Sequence, residues 1–186
     1  LPKDEKILTS ILMDPAAGWR EKAQAVKLLR LNNFSNEITL LAYCLMSNHF
    51  HFLVKQKSDM AIDQFMNSLC TRYTMYFNKK NERIGTLCKD VFKGVSIESD
   101  EQLLYTSAYI HRNFRPQILA SKGVPLRSWF LKQPSSLPEY LGQRKTEWVH
   151  PEEILSFFSK TNPKLSYQSF VEQTDDFSLI EKSLID

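Results

Sequence analysis

Two adjoining apolar runs separated by turn formers constrain this chain more than anything else in it. Ile38-Thr39-Leu40-Leu41-Ala42-Tyr43-Cys44-Leu45 has β-strand composition, Ser47-Asn48 supplies turn chemistry, and His49-Phe50-His51-Phe52-Leu53-Val54 resumes the run. Together they read as a β-hairpin. Side chains alternate along an extended strand, so His49 and His51 share one face while Phe50, Phe52 and Val54 take the other. One face is then expected to be core and the other to carry chemistry. Two imidazoles side by side on rigid backbone make a two-nitrogen pincer for a divalent cation. The turn sets this pair at the start of the second strand, near an edge that a substrate can reach.

Elsewhere the periodicity is mostly helical. Asp14-Pro15 reads as a helix start, with Trp19, Ala23, Val26, Leu28 and Leu29 as its buried stripe up to Asn32-Asn33. The dozen residues through Leu12 show no clear pattern. Ile62, Phe65, Met66, Leu69, Cys70, Tyr73, Tyr76 and Phe77 recur at helical spacing, and Asn78-Lys79-Lys80-Asn81 stops that helix. Val91 to Ile97 is strand-like and carries Lys93. Ser99-Asp100-Glu101 opens another helix, and Phe114-Arg115-Pro116 should close it because proline disfavours helix in the residue before it. Pro151-Glu152-Glu153 begins a short helix through Phe158, and two more helical patterns centre on Phe170 and on Phe177-Ile180-Leu184.

A hydrophobic content of 42% and a charged content of 24% suit a folded globular chain and argue against disorder. Charge is unevenly spread. From Arg72 to Arg127 ten basic residues face five acidic ones, so this segment carries more positive charge than the net +3 of the whole chain. An anionic partner would bind here. Cys44, Cys70 and Cys88 are an odd count without C-x-x-C spacing, which fits reduced thiols in a cytoplasmic protein. No run approaches the roughly 20 apolar residues of a membrane span, and no secretory signal pattern is visible.

The helix after Ser99 brings further chemistry. Leu103, Ser107 and Ile110 line one face, and Tyr105, Tyr109 and Asn113 recur at i, i+4 and i+8 on another. A tyrosine hydroxyl, with its pKa near 10, is a weak nucleophile at neutral pH, but it can attack phosphorus when a metal polarises the phosphate. The Asn113 amide oxygen, one turn past Tyr109, could complete a cation shell begun by His49 and His51. A His-His-Asn set completed by water and phosphate oxygens suits Mg²⁺ or Mn²⁺. Tyr105 is the rival nucleophile but lacks an asparagine one turn on, and it reads as a packing or stacking residue. His111 points about 160° away from Asn113 on the helical wheel and reads as a structural or phosphate-contacting residue. His150, before Pro151, reads as a helix-cap neighbour.

Met46-Ser47-Asn48-His49-Phe50-His51-Phe52-Leu53-Val54 resembles the histidine-hydrophobe-histidine motif of the single-tyrosine HUH transposases. Tyr109-Ile110-His111-Arg112-Asn113 resembles their catalytic-tyrosine helix. The likeness is closest to the REP-associated tyrosine transposases and runs over roughly residues 37–119. It implies an α+β fold: a ferredoxin-like HUH domain over residues 1–120, with helices packed on a central antiparallel sheet, and a C-terminal helical extension over 121–186. The implied reaction is metal-dependent cleavage and rejoining of single-stranded, hairpin-associated DNA through a 5′-phosphotyrosine. In these terms Tyr109 is the nucleophile, and His49, His51 and Asn113 hold Mg²⁺ or Mn²⁺. Arg72, Lys79, Lys93, Arg112 and Arg115 are the basic residues expected near DNA. The protein would be a monomer or homodimer in a prokaryotic cytoplasm, associated with the nucleoid. The alternative is a domesticated DNA-binding protein of the same fold with weak or no catalysis, suggested by Phe114-Arg115-Pro116 standing where the family has Asn-Pro. A replication or relaxase-type HUH nuclease is a third reading, disfavoured by the lack of a helicase motif or a second tyrosine helix.

Overall fold

A computed structural model of the chain describes residues 4–88, 91–113, 134–174, 177, 178 and 180. The chain forms two compact units, each built from two stretches. One comprises Leu1–Ile38 with Gln56–Val91, the other Thr39–Lys55 with Phe92–Asp186. Among the described residues the class is α+β, as expected from the sequence: one two-stranded antiparallel sheet, seven α-helices and one 3-10 turn. Among these residues no helix is long and apolar enough to cross a membrane.

The first unit is helical. Its first helix, α1 (Glu5–Met13), lies in the stretch where no pattern was legible, and the Asp4 carboxylate caps it by accepting the Ile7 N–H at 3.0 Å. Helix α2 (Trp19–Arg30) begins four residues later than Asp14-Pro15 suggested. The Asp14 carboxylate turns onto the Ala16 N–H at 2.8 Å, so this pair shapes the link between the helices. Glu21 closes the start of α2 by accepting from the Gly18 N–H at 3.0 Å. The expected buried stripe is also displaced. Ala25 is the buried residue of α2, whereas Trp19, in its first turn, is 75% exposed. Helix α3 (Ala61–Lys80) follows the expected span, with Ala61 and Met66 buried and Phe65 edge-on to Phe34 at 5.7 Å.

The second unit carries the hairpin, β1 (Ile38–Leu45) and β2 (Phe50–Gln56), whose end residues Ile38 and Gln56 belong to the first unit. Met46 N–H donates to the His49 carbonyl at 2.9 Å and closes the turn around Ser47-Asn48. Leu41, Ala42, Tyr43 and Cys44 are all buried, so β1 is covered on both faces, as a near-continuous apolar run requires. Its second edge is also occupied. Cys44 bridges Ser135, Leu45 N–H donates to the Pro134 carbonyl, and His150 N–H donates to the Leu40 carbonyl. Among the described residues this unit also holds four helices: α4 (Asp100–Arg112), α5 (Leu137–Tyr140), α6 (Glu152–Leu155) and α7 (Tyr167–Gln173).

Helix α4 starts where expected, with Ser99 Oγ accepting the Gln102 N–H at 3.1 Å. Its buried face of Leu103, Ser107, Ile110 and His111 packs into one core with Leu41, Cys44, Leu53, Leu137, Tyr140, Ile154, Tyr167 and Val171. The strand expected over Val91 to Ile97 does not form. Val91 and Val95 are 83% and 44% exposed, and β-composition without a ladder partner leaves the backbone irregular.

Candidate active site

The hairpin turn and the end of α4 bring four side chains of the second unit together. The His49 and His51 rings, one just before β2 and one within it, lie edge to face on the same side with centroids 5.0 Å apart. That face is not opposite the core, as the sequence suggested. Leu53, next in the same alternation, is 5% exposed and belongs to the core, while Phe50 and Phe52 stack on each other at 4.7 Å on the other side. Alternation defines two faces but not which one a helix covers, and here α4 covers the histidine face. The histidines therefore sit at the rim of the core, with His51 half buried and His49 exposed.

Each imidazole is oriented by an amide. Asn48 Oδ1 lies 2.7 Å from His49 Nδ1, and since a carbonyl oxygen only accepts, Nδ1 is the donor and Nε2 the nitrogen left to face a ligand. Asn113 Nδ2 lies 2.7 Å from His51 Nε2 and donates to it. Tyr109, one turn before Asn113, stands edge-on to His51 with centroids 5.8 Å apart and meets Phe177 at 5.6 Å. The tyrosine is thus held between a strand histidine and a residue of the C-terminal segment. Asn113 is the C-cap of α4, and its N–H donates to the Tyr109 carbonyl at 2.9 Å, which keeps the two on one helical ladder.

The donor set fits a hard or borderline cation. Among the described residues no group of three His, Cys, Asp or Glu could hold a metal, so a site here would depend on two imidazoles and an amide. The Asn113 amide, donating to His51 Nε2 at 2.7 Å, stands beside the ring nitrogen that would bind a cation. Turning the amide over would present Oδ1 in place of Nδ2. Imidazoles and an amide bind a cation without adding negative charge, so such a set would leave the charge of a divalent cation to be balanced by phosphate.

The basic residues named from the sequence are dispersed. Arg72 and Lys79 are exposed on α3 in the first unit, and Lys93 is exposed in the irregular stretch before α4. Arg112 is half buried; its guanidinium donates to the Val171 carbonyl at 3.1 Å and to the Thr174 carbonyl, and lies over the Phe177 ring at 5.9 Å. These contacts tie α4 to the segment after α7. Arg115 lies outside the described residues. Tyr105 packs edge-on against Phe170 at 5.5 Å, in keeping with a packing role.

Two contributors were not legible in the sequence. Phe177 is far along the chain from Tyr109, and Asn48 read only as a turn former although its place beside His49 was a usable signal. His111 is a core residue: fully buried, with Nδ1 2.7 Å from the Tyr167 hydroxyl and Nε2 2.8 Å from Ser136 Oγ. Burial pushes its pKa down to about 3, so the ring is neutral.

No curated protein and no solved structure gives a significant match to the chain. A family model described as "Transposase IS200 like" matches residues 20–113, half of the chain, from α2 through the hairpin to Asn113. That span contains both histidines, the tyrosine and the asparagine that the fold gathers at one place, and the family implies a DNA-cleaving function. The chain belongs to the IS200-like transposases, within the single-tyrosine HUH superfamily.

Proposed function

We propose that the protein cleaves and rejoins single-stranded, hairpin-associated DNA, with Tyr109 as nucleophile and His49, His51 and Asn113 as ligands of Mg²⁺ or Mn²⁺. The observation that carries this reading is the Asn113 amide on His51 Nε2 with Tyr109 one turn away, three groups drawn together from two distant segments. In the proposed step the Tyr109 oxygen bonds to phosphorus as its proton departs. The bond to the 3′ oxygen breaks, and that oxygen takes up a proton to leave as a hydroxyl. Rejoining is the reverse attack by a 3′-hydroxyl on the phosphotyrosine. When bound, the cation polarises the phosphate and offsets the negative charge that builds in the transition state.

The chain's own residues do the positioning. Asn48 fixes the His49 tautomer, Phe177 and His51 flank the tyrosine ring, and the α4 ladder sets the distance between nucleophile and amide. Within the family, the Tyr109-Ile110-His111-Arg112-Asn113 helix supports placement among the REP-associated tyrosine transposases, acting in the cytoplasm on the nucleoid as a monomer or homodimer.

A non-catalytic DNA-binding protein of the same fold is the second reading. It is favoured by the sequence Phe114-Arg115-Pro116 after Asn113, where the family has Asn-Pro. The two are separated by incubating the protein with labelled hairpin oligonucleotides bearing single-stranded tails in Mn²⁺. The wild type should form a protein–DNA adduct that survives denaturant, and Tyr109→Phe should bind the same DNA and form none. An adduct with Tyr109→Phe would refute the nucleophile, and absence of any cleavage by the wild type across a hairpin library would favour the binding protein.

A further inference from the structure

The first unit carries a polar groove and an aromatic face on one helix. A cavity of about 520 Å³ lies between the end of α2 and the first half of α3, with Arg30, Asn32, Gln64, Asn67, Thr71 and Arg72 among its lining residues. Among the described residues its lining includes no carboxylate. Gln64, Asn67 and Thr71 recur at i, i+3 and i+7 and so present amide and hydroxyl groups along one face of α3. Arg72 donates through Nη2 to the Asn32 carbonyl at 3.2 Å, which holds the guanidinium against the groove wall. Two guanidinium groups among neutral donors and acceptors, without a carboxylate to pair them, are the chemistry that binds a phosphate backbone.

Beyond the groove, α3 changes character. Tyr73 and Tyr76 are 52% and 59% exposed, and Lys80 places its ammonium 5.8 Å from the Tyr76 ring centroid. Arg72, Tyr76 and Lys80 follow one another at i, i+4 and i+8, so cation, ring and cation share a stripe. Exposed rings beside cations form a platform on which unpaired bases stack. In a duplex the base faces are already covered by their neighbours, so the rings favour a single strand. A second copy of the chain would present the same positive stripe and be repelled.

We infer that this groove and the Tyr73–Tyr76 face form a track for single-stranded DNA, built wholly from the unit that does not carry the histidines. The inference rests on the DNA-processing function proposed above. It is tested on the full chain in EDTA, where binding is read without cleavage, by fluorescence anisotropy of a labelled oligodeoxythymidine strand. Tyr76→Ala should weaken binding about five- to 150-fold, the range for loss of one stacked base. Arg30→Gln combined with Arg72→Gln should lower the slope of log K against log salt by about 1.4, for two lost phosphate contacts. Wild-type affinity and salt slope in both variants, with far-UV circular dichroism unchanged, would overturn the track while leaving the histidine site's reading intact. Failure of the wild type to bind any strand would overturn both. Equal competition by a duplex would overturn the stacking platform, and a change of oligomeric state in Tyr76→Ala without a change in DNA affinity would show that the face binds a second copy instead.

Discussion

Lowering the pH from 7 to 5 should cost the protein stability through one buried imidazole. The hydrogen bonds around His111 fix its proton. Ser107 Oγ donates to the Leu104 carbonyl at 2.7 Å, so it accepts from the Tyr167 hydroxyl at 3.0 Å; that hydroxyl must then accept from His111 Nδ1. Nε2 is left to accept from Ser136 Oγ at 2.8 Å. The ring is a neutral tautomer with both nitrogens used, and a second proton would charge a group with no access to water. With the folded pKa near 3 and an unfolded value near 6.5, the unfolded chain binds the proton first as pH falls. Stability from this residue is therefore full above the unfolded value and is lost as pH falls towards 3. Between pH 7 and pH 5 the loss is about 2 kcal/mol. Urea midpoints followed by tryptophan fluorescence, to which Trp148 with its ring 5.3 Å from Tyr43 in the same unit contributes, would measure it. His111→Gln keeps a donor and an acceptor but cannot titrate, so it should be less stable at pH 7 yet flatter with pH. If the variant loses as much stability as the wild type over that interval, the assignment of the pH dependence to His111 is wrong.

Three further predictions test the network and the site. Tyr167→Phe removes the partner of His111 Nδ1 and should lower unfolding free energy by about 1–3 kcal/mol in the same urea assay, the penalty for a stranded buried donor. Arg144→Met would strand the buried Glu139 carboxylate, which Arg144 binds at 2.6 and 2.7 Å, at a cost of about 3 kcal/mol; adding Glu139→Gln should recover part of that loss. Asn48→Ala releases His49 Nδ1 and should weaken Mn²⁺ binding about tenfold by calorimetry, whereas unchanged affinity would show that Asn48 does not orient a metal ligand.

Local signals carried much of this molecule. Alternation and Ser47-Asn48 gave the hairpin, Ser99 gave the start of α4, and the 3.6-residue period gave α3 within a residue or two. Interactions between distant segments decided the rest. Which face of β2 a helix covers depends on α4, some fifty residues on, so the side taken by Leu53 could not be read from the strand itself. His111 carries a titratable group by composition, and only Ser136 and Tyr167 make it a core residue. Val91 to Ile97 shows the converse, since β-branched residues favour a strand only where a neighbouring strand accepts their hydrogen bonds. At the candidate site, the histidines, tyrosine and asparagine were legible because the motif is local on each element, whereas Phe177 comes from a segment with no motif of its own.

The matched family span ends at residue 113, yet β1 is finished from beyond it. Leu45 N–H, Tyr43 N–H and the Leu40 carbonyl find their partners at Pro134, Ser136 and His150, and the Tyr140 hydroxyl donates to the Leu41 carbonyl at 2.9 Å. A protein cut after Asn113 would expose a buried strand edge and the far side of α4 at once, and such edges pair with other chains. Residues from Pro134 to His150 thus cover an edge that would otherwise be open to self-association, and a truncated gene product would be expected to aggregate before it could be assayed for cleavage.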